Sequence, residues 1–471
     1  MSLLLLVASL CFGSGGLCPD LRGPLADATD RPSPAVAQDP GGAARPTLLT
    51  AAEAATLREK FRRCLKEEDA LRSATDLDSR DLERAERALG RADEEFRLDW
   101  NRMARKGDLL ASVADLRQLF TNCFPLRGNA PPPGAWRTDS VEFPRLGERY
   151  AFTWLVPKGA RPEAPLPTVV MLTGSGDASA AGRHRQDAFG ELGADRCWLG
   201  VPTPANWRID EAPDRSKDGG DEVDATRVRW LFGTFGEAIG RVAIDRNRVF
   251  LDCGRDASSF GLRFATLFPD RFCGVVLRDL RRVDDLRFGS LANLPVLLVK
   301  SPATAAAVDS LAARLEQAAP GRCTVLEATD EYPHPGAAPA IVAWMDAQRR
   351  TMTPTRVQIE PNTDDHNRAY WVDIEKADSI DSNPQDHRVR IDAVADRANN
   401  VVRVQCVGVE RLRLHLNDDL VDLGKPFLVV VNGREFREQR TRSFETLREN
   451  LVRRRDWEVL FPVTFTTSVP K

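Results

Sequence analysis

Three side chains in this sequence could carry hydrolytic chemistry, namely Asp256, Ser259 and His334. A serine attacks a carbonyl group only when a neighbouring base takes its proton, and that base needs a carboxylate to hold the correct tautomer. An aspartate can instead attack directly and form an ester, which a histidine-activated water then hydrolyses. His334 is one of five histidines in the chain and is the candidate base in both schemes. Either scheme requires secondary structure that brings these groups together.

Asp256 and Ser259 lie in a stretch that predicts a strand, a sharp turn and a helix. The run Val249–Cys253 is short and apolar, which is typical of a buried parallel strand. Apolar residues recur at helical spacing over residues 258–268, and Pro269 ends the pattern. This order is the layout of a nucleophile elbow, in which a strained turn exposes the nucleophile at the end of a strand.

With the upstream IDRNRVFLD and the downstream FPDRF, this stretch resembles the elbow of α/β-hydrolases of the esterase, polyhydroxybutyrate-depolymerase and prolyl-oligopeptidase kind. The resemblance implies a G-x-S-x-G motif, which is absent, and three frames are open. Counting about fourteen residues back from the end of the helix places Arg255 at the nucleophile position. Taking Gly254 as the first glycine places Asp256 there, although an aspartate at this junction can also be a helix N-cap. The frame Ala257–Gly261 places Ser259 there but shortens the helix.

The resemblance also implies an oxyanion loop, a base and an acid. His334 lies between the last predicted strand and the following helix, where the family has its catalytic histidine. The family's acid loop corresponds to Lys300–Thr304, which contains no carboxylate. Asp279 is the nearby substitute, with a solvated loop residue as the alternative. The expected H-G-x-G oxyanion loop, which could equally be a plain strand-to-helix turn, corresponds to Thr173, Gly174, Ser175, Gly176 and Asp177.

Residues 135–350 are predicted to form a doubly wound, mostly parallel sheet covered by helices, because short apolar runs alternate with helical patterns. Right-handed crossovers place the carboxyl ends of parallel strands at one edge. We therefore expect His334 and the Gly174–Asp177 loop at the same edge. The apolar runs are Tyr150–Val156, Thr168–Leu172, Trp198–Val201, Val249–Cys253, Cys273–Leu277, Val296–Val299 and Cys323–Leu326.

Residues 351–471 change to alternating apolar and polar positions, which predicts an antiparallel β-sandwich domain. We expect one helix there, at Ser443–Arg453, a hairpin turn at Asn432 and Gly433, and a linker near Thr351–Asn367. With the stretches AYWVDIEKAD, HLNDDLVDLGKPFLVVVNG and RRDWEVLFPVTF, this tail resembles the β appendage on large secreted hydrolase-like proteins of bacteria.

Residues 47–134 predict a helical hairpin region. Thr50 and Glu53 have the spacing of a capping box. Packing on the hydrolase-like domain is the favoured interpretation, and a partner-binding coiled coil is the alternative.

Residues 1–46 predict a signal segment and linker, because Met1–Gly13 is apolar but too short to span a membrane. Export to the periplasm or outside the cell is therefore expected, with a mis-started or cytoplasmic N-terminus as the alternative. The net charge is −3, and the sequence contains no basic block that would indicate nucleic-acid binding. The nine cysteines form no C-x-x-C pair, so we expect buried free thiols rather than a disulfide framework or a zinc site. No other metal site and no cofactor is expected.

Four departures from the family pattern concern the elbow serine, the elbow glycines, the oxyanion histidine and the acid. Together they predict a hydrolase-like protein that has lost catalysis and can still bind a small ester, a polyester or a peptide. The alternative is an active ester or peptide hydrolase that uses Asp256 or Ser259 with His334.

Overall fold

A computed structural model describes residues 47–73, 79–128, 131–143, 148–175, 179–204, 220–283, 286–364, 366–379 and 389–470. The predicted signal segment at 1–46 lies outside these ranges. Within them, no helix combines the length and the apolar character needed to cross a bilayer.

The helices are α1 (Ala51–Ser73), α2 (Ser79–Ala104), α3 (Val113–Phe120), α4 (Ala180–Phe189), α5 (Gly220–Arg241), α6 (Asp256–Leu267), α7 (Ala305–Ala318), α8 (Ala338–Ala347) and α9 (Phe444–Arg454). The first eight strands are β1 (Trp136–Phe143), β2 (Glu148–Leu155), β3 (Leu166–Ser175), β4 (Cys197–Thr203), β5 (Ile244–Gly254), β6 (Gly274–Arg278), β7 (Val296–Lys300) and β8 (Cys323–Glu327). The remaining strands are β9 (Arg356–Ile359), β10 (Arg368–Ala369), β11 (Val372–Ala377), β12 (Arg390–Asp396), β13 (Val401–Val407), β14 (Val409–Leu416), β15 (Phe427–Val431), β16 (Arg434–Glu438) and β17 (Val463–Ser468).

The central sheet has eight strands in the order β1-β2-β4-β3-β5-β6-β7-β8. β2 runs antiparallel to both of its neighbours, and the pairs from β4 through β8 are parallel. One face packs against α5, α6 and α7, and the other against α4 and α8. The apolar runs therefore form strands that are covered on both faces. This strand order with an antiparallel second strand is that of the α/β-hydrolase fold, so the predicted fold class is confirmed.

The C-terminal β region consists of two sheets packed over one apolar core, with strand orders β10-β11-β14-β17 and β16-β15-β13-β12-β9. Asn432 and Gly433 form the predicted two-residue hairpin turn, both with positive φ. One correction applies: β13 and β15 pair in parallel, so the region is not wholly antiparallel. The expected linker at 351–367 contains β9, and both Met352 and His366 in it are buried.

The N-terminal helices share their core with the C-terminal part of the chain. Phe61 and Phe96, from α1 and α2, pack against Phe444 of α9. The capping box is present, since Thr50 N donates to Glu53 Oε2 at 3.0 Å and Glu53 N donates to Thr50 Oγ1 at 3.3 Å. The helical hairpin is therefore held by a helix from the far end of the chain.

The described cysteines are free thiols, and most of them are buried, as the sequence predicts. Cys11 and Cys18 lie outside the described residues.

Candidate functional site

The turn after β5 has the geometry of a nucleophile elbow, with an arginine at its apex. Arg255 has φ 46° and ψ −114°, a sparsely populated conformation for a residue with a side chain. Its backbone N–H donates to the Arg278 carbonyl at 2.9 Å, which ties the turn to the end of β6. This placement agrees with the first of the three sequence frames. Asp256 is the first residue of α6 and Arg255 its N-cap, so Asp256 is not the cap.

The serines near the elbow hydrogen-bond to backbone carbonyls. Ser259 lies within α6, and its Oγ donates to the Arg282 carbonyl at 2.8 Å. Ser258 is fully buried, with its Oγ 2.8 Å from the Arg278 carbonyl and 3.0 Å from the Cys253 carbonyl. No hydrogen bond links either serine to His334 among the described residues. The structure thus does not bring the Ser259 hydroxyl and the candidate base together.

Asp279 and His334 do meet, and this corrects the interpretation of Asp279 as a solvated loop residue. Asp279 is buried just after β6, and its Oδ1 lies 3.2 Å from His334 Nε2. The same oxygen accepts a 2.9 Å hydrogen bond from Ser301 Oγ. Ser301 belongs to the loop in which the acid was expected. A carboxylate from the end of the neighbouring strand therefore contacts both the candidate base and the loop in which the acid was expected.

The histidine is turned the other way from that of a serine triad. In a triad the carboxylate binds Nδ1, and Nε2 faces the nucleophile. Here His334 Nδ1 donates to the Asp330 carbonyl at 2.9 Å, and Nε2 faces Asp279. Arg255 lies on the far side of this carboxylate, with its Nε 3.8 Å from Asp279 Oδ2. Asp279 thus stands between the base and the elbow residue.

The Arg255 guanidinium stacks on an aromatic ring. Its Cζ lies 4.1 Å from the centroid of Tyr332, and the Tyr332 hydroxyl lies 3.3 Å from His184 Nδ1. Gly254 makes room for this arrangement, because a Cβ there would be 2.0 Å from the Tyr332 hydroxyl oxygen. Burial lowers the pKa of His184 to about 4, more than the nearby Asp252 carboxylate raises it, so the ring is neutral at pH 7. Burial likewise raises the pKa of Tyr332.

A buried ion pair lies directly below the elbow, and sequence analysis missed it. Arg278 binds both oxygens of Asp252, at 2.8 and 3.1 Å, and both side chains are 0% exposed. Arg278 also donates to the Pro333 carbonyl at 2.7 Å, one residue before His334. It therefore joins the ends of β5 and β6 to the histidine loop. The available signal was a charged residue inside one apolar run, Asp252 in Val249–Cys253, and another directly after the next run, Arg278 after Cys273–Leu277.

The predicted oxyanion loop begins at the same edge of the sheet. Leu172 pairs with Cys253, so Gly174 and Ser175 at the end of β3 lie beside the elbow. β3 and β8 point the same way, which places His334 at this edge too. Gly176 and Asp177 lie outside the described residues. Thr173 is buried, and its hydroxyl has no hydrogen-bond partner within the described part of the chain.

No cluster of metal-binding side chains occurs among the residues that the structure describes. A cavity of about 280 Å³ lies at the opposite end of β5, near Asn247 and Arg350. It is far along the strand from the elbow and contains none of the predicted site residues.

Comparison with known proteins gives weak likenesses only. No family model matches the chain, and no curated protein matches it. Among solved structures, a thermostable esterase is similar at 16% identity and a TM-score of 0.34, over 46% of this chain and 63% of that chain. A ferulic acid esterase is similar at 15% identity and a TM-score of 0.35, over 45% of this chain and 98% of that chain. A fluorophosphonate-binding serine hydrolase of Staphylococcus aureus is similar at 13% identity and a TM-score of 0.33, over 45% of this chain and 98% of that chain.

Proposed function

We propose that this protein is a hydrolase-like protein of esterase or peptidase type that does not catalyse hydrolysis and instead binds a small ester, a polyester or a peptide at the elbow edge of its sheet. The observation that carries this proposal is Arg255 at the apex of the elbow. A guanidinium stays protonated in proteins and has only donors, so it cannot attack a carbonyl group. The residue at the apex of the elbow therefore offers no nucleophile, which supports the proposal.

The surrounding groups support the same conclusion. Nucleophilic catalysis needs a base within hydrogen-bond reach of the nucleophile. Both ring nitrogens of His334 already face other groups, the Asp330 carbonyl and the Asp279 carboxylate. The Ser259 hydroxyl is bonded to a backbone carbonyl.

Hydrolysis assays with short-chain aryl esters and labelling with an active-serine fluorophosphonate test this proposal. The wild-type protein should neither hydrolyse nor become labelled above buffer, and His334→Ala should change only its stability. Ser258→Ala serves as the control for Ser259→Ala, because both remove a hydroxyl bonded to backbone. The proposal fails if the wild type hydrolyses esters at a robust rate and this rate falls by orders of magnitude in two variants. These are His334→Ala and either Ser259→Ala or Asp256→Ala, since the members of a triad act as a unit.

A further inference from the structure

The Arg255 side chain is a cation stacked on Tyr332, and its N–H donors have no hydrogen-bond partner among the described residues. Its side chain is 47% exposed, and within the described residues no hydrogen bond uses its guanidinium. The nearest carboxylate oxygen, Asp279 Oδ2, lies 3.8 Å from its Nε, beyond hydrogen-bonding distance. The other oxygen of Asp279 already accepts from Ser301 and faces His334. The charge of Arg255 is therefore partly balanced, but its planar set of N–H donors is unoccupied within the part of the chain that the structure describes.

The orientation of this guanidinium is set before any ligand arrives. Tyr332 lies under it at 4.1 Å, and Gly254 and His184 contact Tyr332 at its hydroxyl. The backbone of Arg255 is held by the turn itself. A stacked guanidinium loses little further freedom on binding, and its two parallel N–H groups match the two oxygens of a carboxylate.

A second polar group at this edge also lacks a partner. Thr173 is 6% exposed, and its hydroxyl makes no hydrogen bond within the described residues. It lies one residue beyond Leu172, which pairs with Cys253, and so stands beside Gly254 at the base of the elbow. A buried hydroxyl without a partner costs free energy, which a bound oxygen atom or water would recover.

We infer that the elbow edge is a carboxylate-binding site in which Arg255 binds the two carboxylate oxygens of a small organic acid or of a peptide C-terminus. This inference rests on the proposed function and names the ligand's chemical class. An ester oxygen carries no full charge, so the arginine favours the free acid over the corresponding ester. A serine at this position would form an acyl-enzyme and release the alcohol or amine, whereas the arginine matches the acid that hydrolysis of that acyl-enzyme by water would release.

Isothermal titration calorimetry of the full chain tests the inference with three probes. Sodium benzoate represents a small acid, N-acetylalanine represents a peptide C-terminus, and methyl benzoate is the neutral counterpart. We expect at least one of the two acids to bind at millimolar concentration or better, and methyl benzoate to bind more weakly than benzoate. Which acid binds more tightly distinguishes the two ligand sources.

Arg255→Gln should weaken the binding of the acid by about tenfold or more, since it removes a charged bidentate pair. Arg255→Lys keeps the charge but loses the paired donors, and should give an intermediate affinity. Arg349→Gln removes an exposed arginine elsewhere and should leave the affinity unchanged. Thermal unfolding checks that each variant is folded. If the Gln variant is unfolded, the Lys variant decides.

The inference is overturned if neither acid binds, if the ester binds as well as the acid, or if the folded Arg255 variants bind like the wild type. These failures differ from failure of the proposed function, which would appear as ester hydrolysis by the wild-type protein. If the wild-type protein hydrolyses no ester and also shows no acid binding that depends on Arg255, only the inferred ligand class is wrong.

Discussion

Arg255 shows that the elbow conformation does not depend on a nucleophile. A positive φ on a residue with a side chain costs on the order of 1–3 kcal/mol and persists only where the surroundings impose it. Here β5 and α6 impose it from either side, and the Arg278 carbonyl accepts the Arg255 N–H. Since an arginine occupies the strained position, the packing of strand against helix specifies the turn.

Gly254→Ala should disturb the site without unfolding the protein. The new Cβ would lie 2.0 Å from the Tyr332 hydroxyl oxygen, the end of a movable side chain. Tyr332 must then shift, and its contacts with His184 and Arg255 weaken, at a cost of about 1–3 kcal/mol. Urea unfolding measures this cost. Gly236→Ala is the control, because nothing lies within 4 Å of its Cβ in α5, and alanine there should be stabilising by about 0.5–1 kcal/mol.

Asp279→Ala should cost about 1–3 kcal/mol, because it leaves His334 Nε2 and the Ser301 hydroxyl without their buried acceptor. Ser301→Ala should cost less, about 1 kcal/mol, because the groups left behind keep partners: Thr304 Oγ1 still donates to the Ser301 carbonyl, and Asp279 retains His334. Equilibrium unfolding of the two variants at pH 7 makes the comparison. Equal stability of wild type and Asp279→Ala would show that Asp279 is solvated after all.

At the scale of elements, short sequence patterns correctly predicted individual helices, strands and turns. The apolar run before the elbow corresponds to β5, and the helical spacing after it corresponds to α6. Asn432 and Gly433 form the predicted hairpin turn. The contacts that the sequence did not predict join residues that are far apart along the chain. The parallel pair β13 and β15 and the burial of Asp279 against His334, 55 residues away, leave no periodic signal. The sequence named both the candidate base His334 and Asp279 as a substitute acid, but it did not predict that Asp279 is buried against Nε2 of His334.

Helix α9 packs the C-terminal β region against the N-terminal helices. Phe444, Leu447 and Leu451 enter the core of the N-terminal helices. Arg448 of the same helix forms an ion pair with Glu68 of α1, and Ser443 caps α9 by accepting from Thr446 N at 3.2 Å. The N-terminal helices therefore bury part of their apolar surface against α9.

Leu447→Ala should cost about 2–5 kcal/mol, because Leu447 is fully buried between α9 and the N-terminal helices. Limited proteolysis should then cut first in the region of α1 and α2. Leu98→Ala removes the same atoms from a side chain of α2 that is 64% exposed, and should change stability by no more than about 0.5 kcal/mol. Equal effects of the two substitutions would contradict the shared core.

At the scale of the whole molecule, buried charges hold the parts together. Arg350, just after α8, binds both oxygens of Asp456 at 2.7 and 3.1 Å, and its Nη1 also donates to the Asp270 carbonyl. Asp270 accepts from the Tyr370 N–H of the β region and pairs with Arg454 of α9. Removing one partner of such a pair leaves an uncompensated charge, so these groups enforce one arrangement of the α/β sheet, the β region and α9.

Asp456→Asn tests this junction through its pH dependence. Burial alone would raise the pKa of Asp456, but Arg350, Arg246 and Arg271 outweigh burial and lower it from 3.8 to about 2. Because the folded-state pKa is depressed, the carboxylate stabilises the fold above pH 3.8, and this contribution is lost as the pH falls through about 2. The substitution should therefore cost about 3–5 kcal/mol at pH 7. Near pH 2 that cost should shrink by roughly 2 kcal/mol.

Urea unfolding of wild type and Asp456→Asn at both pH values measures the difference. Asp392→Asn is the matched control, because Asp392 pairs with Arg356, whose side chain is 56% exposed, and the loss should stay below about 1 kcal/mol. A constant cost for Asp456→Asn from neutral to acid pH would mean that the aspartate acts by shape rather than by charge. The pairing with Arg350 would then not be what fixes the arrangement of the three parts.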